Sequence, residues 1–160
     1  MIKDKLIDLA LAEVGYTEGL SNDNKFAALA GHANHQPWCM SYLVAIFKAA
    51  GIGKAIPHSA SVEFVERWAL ENKRVRPTRK AKHGDLIVMD FDKAGKGQHI
   101  GLAIDKLNVE RKVICTVEGN TGNDSQTNGE GVAIKTRSTT IIRCVIRPNY
   151  PKTPRTRRQK

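Results

Sequence analysis

The sequence predicts an α+β fold, with helices in the first half packed on an antiparallel sheet formed by the second. Three observations carry the prediction. Apolar residues recur at helical spacing in three segments before residue 71. Short apolar runs punctuated by glycines follow Gly84. No internal repeat links the two halves, so helices first and sequential strands second describe one layered domain.

Ile2, Leu6, Leu9 and Ala10 line one side of a first helix that ends before Gly15. Residues 16–37 read as loop, with Ser21-Asn22-Asp23-Asn24 as the turn signal and a short helical piece at 25–30. Met40, Leu43, Val44 and Phe47 give the second helix its apolar spacing, and Gly51 stops it. A third helix spans 61–70 on Val62, Val65, Trp68 and Ala69, and residues 74–83 form a basic connection. Strands are expected at 85–89, 99–104, 112–117, 132–136 and 141–146.

The chain has 160 residues, enough for one domain that buries roughly two-thirds of its unfolded surface. Three cysteines with no CxxC pair speak against a disulfide framework and a zinc ribbon. The first residues contain no apolar signal core and no stretch approaches membrane-span length, so a soluble product made in the cytoplasm is expected. Net charge is +10, and Lys152, Arg155, Arg157, Arg158 and Lys160 supply half of it. Residues 1–150 are therefore expected to form the folded domain, and 151–160 a basic, disordered tail that attracts polyanions.

The chemistry centres on Cys39. In Pro37-Trp38-Cys39-Met40 it opens a helical pattern, and helix N-terminal amides favour thiolate over thiol. His99 opens a strand sixty positions later, and Glu118-Gly119-Asn120 follows the next one. Nucleophile, base and orienting acid stand in that order for a Cys/His/acid hydrolase. Residues two apart share a strand face, so either Glu118 or Asn120 could accept from the His99 ring if the strand continues that far. Cys115 and Cys144 lie in apolar strand patterns and read as small buried hydrophobes. His32, His35, His58 and His83 read as loop or surface residues, and Trp38 as a core aromatic, a wall of the substrate groove, or both.

Pro37-Trp38-Cys39 at a helix start, Gly84-Asp85-Leu86 at a strand start, Gln98-His99-Ile100-Gly101 and Val117-Glu118-Gly119-Asn120 together resemble the CHAP domain. These are the cysteine, histidine-dependent amidohydrolases/peptidases of bacterial and phage cell-wall lysis, a papain-like branch of cysteine hydrolases. The resemblance spans residues 10–150 and includes an ending like Ile146-Arg147-Pro148-Asn149-Tyr150. It implies a papain-like fold, Cys39 as nucleophile, His99 as base and then acid, Glu118 as the orienting group and Asn120 as a further polar residue beside it. One oxyanion donor is the Cys39 amide, and Gln36, just upstream, is the candidate for the second. Some CHAP domains hold calcium before the cysteine. Here Glu18, Asn22, Asp23 and Asn24 lack the regular D-x-D-x-D alternation, so neither a metal nor any other cofactor is expected.

The expected function is a monomeric, endolysin-type peptidoglycan hydrolase acting on the bacterial cell wall after release. Its basic surface and tail would hold anionic wall or envelope polymers. The resemblance leaves open whether the bond cut is the N-acetylmuramoyl-L-alanine amide or a peptide bond of the stem or cross-bridge. An amidase of another peptide conjugate, a nucleic-acid-binding module and a catalytically dead wall-binding module are the alternatives. Aromatic residues are only 6% and not interleaved with the basic ones, which counts against the nucleic-acid reading.

Overall fold

The computed structural model describes residues 1–122 and 129–153, and the expected basic tail lies outside them except for 151–153. Among the described residues, helices α1 (Ile2–Leu11), α2 (Lys25–Ala30), α3 (Cys39–Ala49) and α4 (Val62–Glu71) precede six strands. These are β1 (Val75–Arg76), β2 (Leu86–Met89), β3 (His99–Ala103), β4 (Val113–Thr121), β5 (Gly131–Ser138) and β6 (Ile142–Ile146). They form one antiparallel sheet in the order β1-β6-β2-β3-β4-β5. The fold is α+β. No helix among the described residues is long and apolar enough to cross a membrane.

Local sequence explains the helix limits. Asn24 accepts from the Ala27 amide at 2.9 Å to start α2, and Gly31 ends it at φ 76. Ser61 accepts from the Phe64 amide at 3.2 Å to start α4. Helix α3 is apolar on all sides, and Cys39 through Phe47 are buried. It lies against β3 and β4, with α1 and α2 packed on it from outside. The Tyr42 hydroxyl donates to the Ala10 carbonyl at 2.8 Å, pinning α3 to the end of α1.

The sheet separates two apolar layers. Leu86 and Val88, Ile100 and Leu102, and Val117 join the helices, whereas Ile87, Met89, Ala103 and Ile114 pack on the other face. Alternation therefore turns His99, Gly101 and Glu118 away from α3. Two strand-side motifs also meet. The guanidinium of Arg147 donates to both oxygens of buried Asp85 at 2.9 and 2.8 Å, and the Tyr150 hydroxyl donates to the Gly84 carbonyl at 2.6 Å. The chain after β6 is thereby fastened to the entry of β2.

Strand β1, inside the stretch expected as a basic connection, pairs with the end of β6. Cys115 and Cys144 are half-buried rather than buried, because the starts of β4 and β6 are only partly covered. Burial still pushes the Cys144 thiol up to about 12.

Glycine sets how closely α3 approaches β4. A Cβ at Gly119 would stand 2.6 Å from the Tyr42 Cβ and 2.9 Å from the Trp38 ring. Neither neighbour can move freely, since both are wholly buried. Gly119→Ala is expected to lower stability by roughly 1–3 kcal/mol through overpacking. Chemical denaturation checks this, and an unchanged midpoint would contradict the packing described.

Candidate active site

Helix α3 begins without a side-chain cap. Its N-cap is Trp38, and its first backbone bond runs from the Tyr42 amide to the Trp38 carbonyl at 2.9 Å. The amides of Cys39, Met40 and Ser41 are consequently the helix's own unclaimed donors. They surround the thiol with positive potential, the setting in which a thiolate or an oxyanion is held.

His99 is the first residue of β3 and is fully buried. Its Nε2 lies 2.9 Å from Oε2 of Glu118, itself wholly buried on β4. Strand register explains the reach. Leu102 pairs with Val117, and continuing that pairing sets Glu118 opposite Gly101. A Cβ on Gly101 would come within 2.6 Å of the Glu118 Cγ, so the missing side chain lets the carboxylate cross diagonally to the ring. Cys39, at the start of α3, raises the same ring electrostatically, and the remaining ring nitrogen, His99 Nδ1, is buried without a hydrogen-bond partner among the described residues.

The charges of this group are strongly shifted. Burial disfavours the His99 cation, but interaction with Cys39 and Glu118 outweighs it and raises the ring to about 9. Burial likewise opposes the Glu118 anion, yet hydrogen bonds from Arg137 and His99 hold it down at about 2. A charged imidazole flanked by a carboxylate and a thiol is the resting arrangement from which a thiolate can attack a carbonyl.

The structure brings Cys39, His99 and Glu118 together and places the other expected residues differently. Strand β4 does include Asn120, but Asn120 adopts φ 53 and the β4–β5 pairing shifts between Glu118 and Thr121. The bulge breaks the alternation, so Glu118 alone bonds the ring. Both amide atoms of Asn120 are buried without a partner among the described residues. Trp38 is 1% exposed, stacked on Phe26, edge-on to Tyr16 and bonded through Nε1 to Glu18. It is a core aromatic that seats Cys39, and its ring is too covered to form a groove wall. Gln36 is exposed, and no hydrogen bond holds its side chain towards Cys39.

Several of the remaining polar candidates have structural partners, although Asn22 Oδ1 is buried without one among the described residues. His32 Nδ1 lies 2.8 Å from the hydroxyl of Ser41 on α3, and His35 Nδ1 donates to the Ser21 carbonyl at 2.9 Å. His58 Nε2 donates to the Gly53 carbonyl at 3.0 Å. Asp23 accepts from Asn34 at 2.6 Å, and Asn24 caps α2.

Three residues of the site were not anticipated. Arg137 on β5 grips Glu118 with both arms of its guanidinium, Nε to Oε1 at 2.8 Å and Nη2 to Oε2 at 2.6 Å. The Thr116 hydroxyl donates to Glu118 Oε1 at 2.7 Å. The Phe91 ring lies 6.1 Å from the His99 ring. Thr116 was discoverable, because it stands two residues before Glu118 on the same strand face. Arg137 was not, because it lies one residue past the expected end of its strand and its sequence neighbours are ordinary. In comparisons with known proteins, the chain matches no protein-family model and no curated sequence.

The shifts set a stability window. Glu118 contributes above its ordinary 4.5, and that contribution is lost as pH falls towards about 2. His99 contributes below its ordinary 6.5, and that contribution is lost as pH rises through about 9. The pair therefore stabilises the fold most between pH 4.5 and 6.5. In Glu118→Gln the ring, still buried but without its carboxylate, is expected to titrate at least one unit lower. NMR titration of the His99 ring checks this, and an unmoved value would contradict the ion pair.

Proposed function

We propose that this chain is a cysteine-dependent amide hydrolase of the CHAP type, on a papain-like fold, acting on peptidoglycan. The observation that carries the thiol chemistry is the buried line Cys39, His99, Glu118 at the uncapped start of α3. The peptidoglycan substrate rests on the four sequence motifs. Three of them meet in this site, and the fourth, Gly84-Asp85-Leu86, anchors the last segment of the domain.

The reaction follows from the placement. The Cys39 thiolate attacks the amide carbon, and the tetrahedral oxyanion sits on the amides that begin α3. His99, protonated and held by Glu118, gives its proton to the leaving amine as the C–N bond breaks. A thioester remains. His99, now neutral, takes a proton from water, the hydroxide attacks the thioester, and the thiolate departs with the acid released.

Basic residues beside α1 fit an anionic wall or envelope polymer. Lys3 is pushed below its usual range first by burial and then by the positive charge of Lys82, against the opposing pull of Asp85. Beside it a groove of about 520 Å³ is lined by Lys3, His83 and Lys152 together with the acidic Asp4 and the ring of Tyr150. A nucleic-acid-binding module would share this charge but leaves the buried thiol, imidazole and carboxylate without a role.

Incubating purified peptidoglycan with the wild type and with Cys39→Ala, followed by mass spectrometry of the soluble fragments, tests the proposal. Fragments are expected from the wild type alone, with new termini that name the bond cut. Both proteins are expected to sediment with the walls, less so as salt is raised. If several wall types yield no fragments from a folded wild type, the reading fails.

A further inference from the structure

The Glu118 carboxylate is more heavily engaged than orienting a histidine requires. Its two oxygens take Thr116 Oγ1, Arg137 Nε, Arg137 Nη2 and His99 Nε2, all within 2.9 Å. Arg137 reaches it from β5, where it pairs with Ile114 of β4. The Arg137 side chain is 11% exposed, and its guanidinium carbon lies 5.2 Å from the centre of the Phe91 ring. Phe91 in turn lies against His99, its own amide held at 2.8 Å by the Gln98 side chain. One aromatic ring thus covers both cations that flank the carboxylate.

Charge alternates along the line Cys39, His99, Glu118, Arg137. When the thiol has passed its proton to the imidazole, the signs run minus, plus, minus, plus, and the buried group carries no net charge. Without the guanidinium the same state leaves one uncompensated negative charge beside a wholly buried carboxylate. The site would then relieve that charge by taking up a proton.

We infer that Arg137 is a positioning residue of this site, which neutralises Glu118 and fixes its orientation so that a Cys39 thiolate and a His99 imidazolium can coexist. The inference rests on the thiol chemistry proposed above. Arg137 acts through Glu118 and does not touch the reacting atoms. A lysine cannot replace it fully, because one ammonium supplies the charge but not the two-armed grip.

The test uses the thiol itself and needs no wall substrate. The rate of Cys39 alkylation by iodoacetamide is measured from pH 4 to 10, with peptide mass mapping to separate Cys39 from Cys115 and Cys144. In Arg137→Gln the acid limb of the Cys39 curve is expected to move up by roughly 1–3 pH units, while rates at high pH stay near wild type. Arg137→Lys is expected to move it in the same direction by less, and carries the test if Arg137→Gln does not fold. The double variant with Glu118→Gln is expected to be displaced no further than Glu118→Gln alone. A uniform loss at every pH, or a limb that stays in place in an activated enzyme, overturns the inference alone. A wild-type Cys39 no more reactive than the other two cysteines removes the thiol-hydrolase reading and the inference together.

Discussion

The buried ion pair between His99 and Glu118 is the constraint around which the sheet is arranged. Two groups that are each expensive to bury stand on neighbouring strands, and each offsets part of the cost of burying the other. The pair requires β3 and β4 to meet in one register, with Gly101 under the carboxylate. It also requires β5, whose Arg137 satisfies the far side of Glu118, and the turn after β2, whose Phe91 covers the ring. A one-residue slip between β3 and β4 would turn Glu118 towards α3, so the ion pair and the two apolar layers enforce the same register.

The second half of the site depends on how α3 enters the core. Tyr16, Phe26, Trp38 and Tyr42 form a connected aromatic group around the start of α3. Trp38 is locked on one side by Phe26 and on the other by the absence of a side chain at Gly119. The residue after it, Cys39, is thereby fixed between the helix layer and the strand ends. Cys39 as a whole is only 4% exposed, so reach to the sulfur is narrow even though the surrounding amides are uncommitted. The same glycine serves both parts, since Gly119 admits α3 from one side while its neighbour Glu118 addresses His99 on the other.

Much of this was legible in the chain because it is written in local pattern. Helical spacing gave α2, α3 and α4 to within a residue or two, and α1 without its exact end at Leu11, and apolar runs between glycines gave five strands. Strand β1 was not readable, since its two residues pair only because β6 ends beside them. The order Cys39, His99, Glu118 was readable from its position at element starts and ends. What escaped depends on tertiary geometry. The left-handed turn at Asn120 withdrew it from the ring, burial removed Trp38 from any groove wall, and Arg137 joined the site only through pairing of β5 with β4.

The central claim is that Cys39 becomes acylated during turnover. Stem peptides prepared from peptidoglycan would be mixed with the wild-type protein, quenched in acid during turnover, digested and mapped by mass spectrometry. The account predicts an acyl group on the peptide that contains Cys39 and on neither of those that contain Cys115 or Cys144. Release of product with Cys39 unmodified throughout turnover, or acylation of either other cysteine instead, would contradict it.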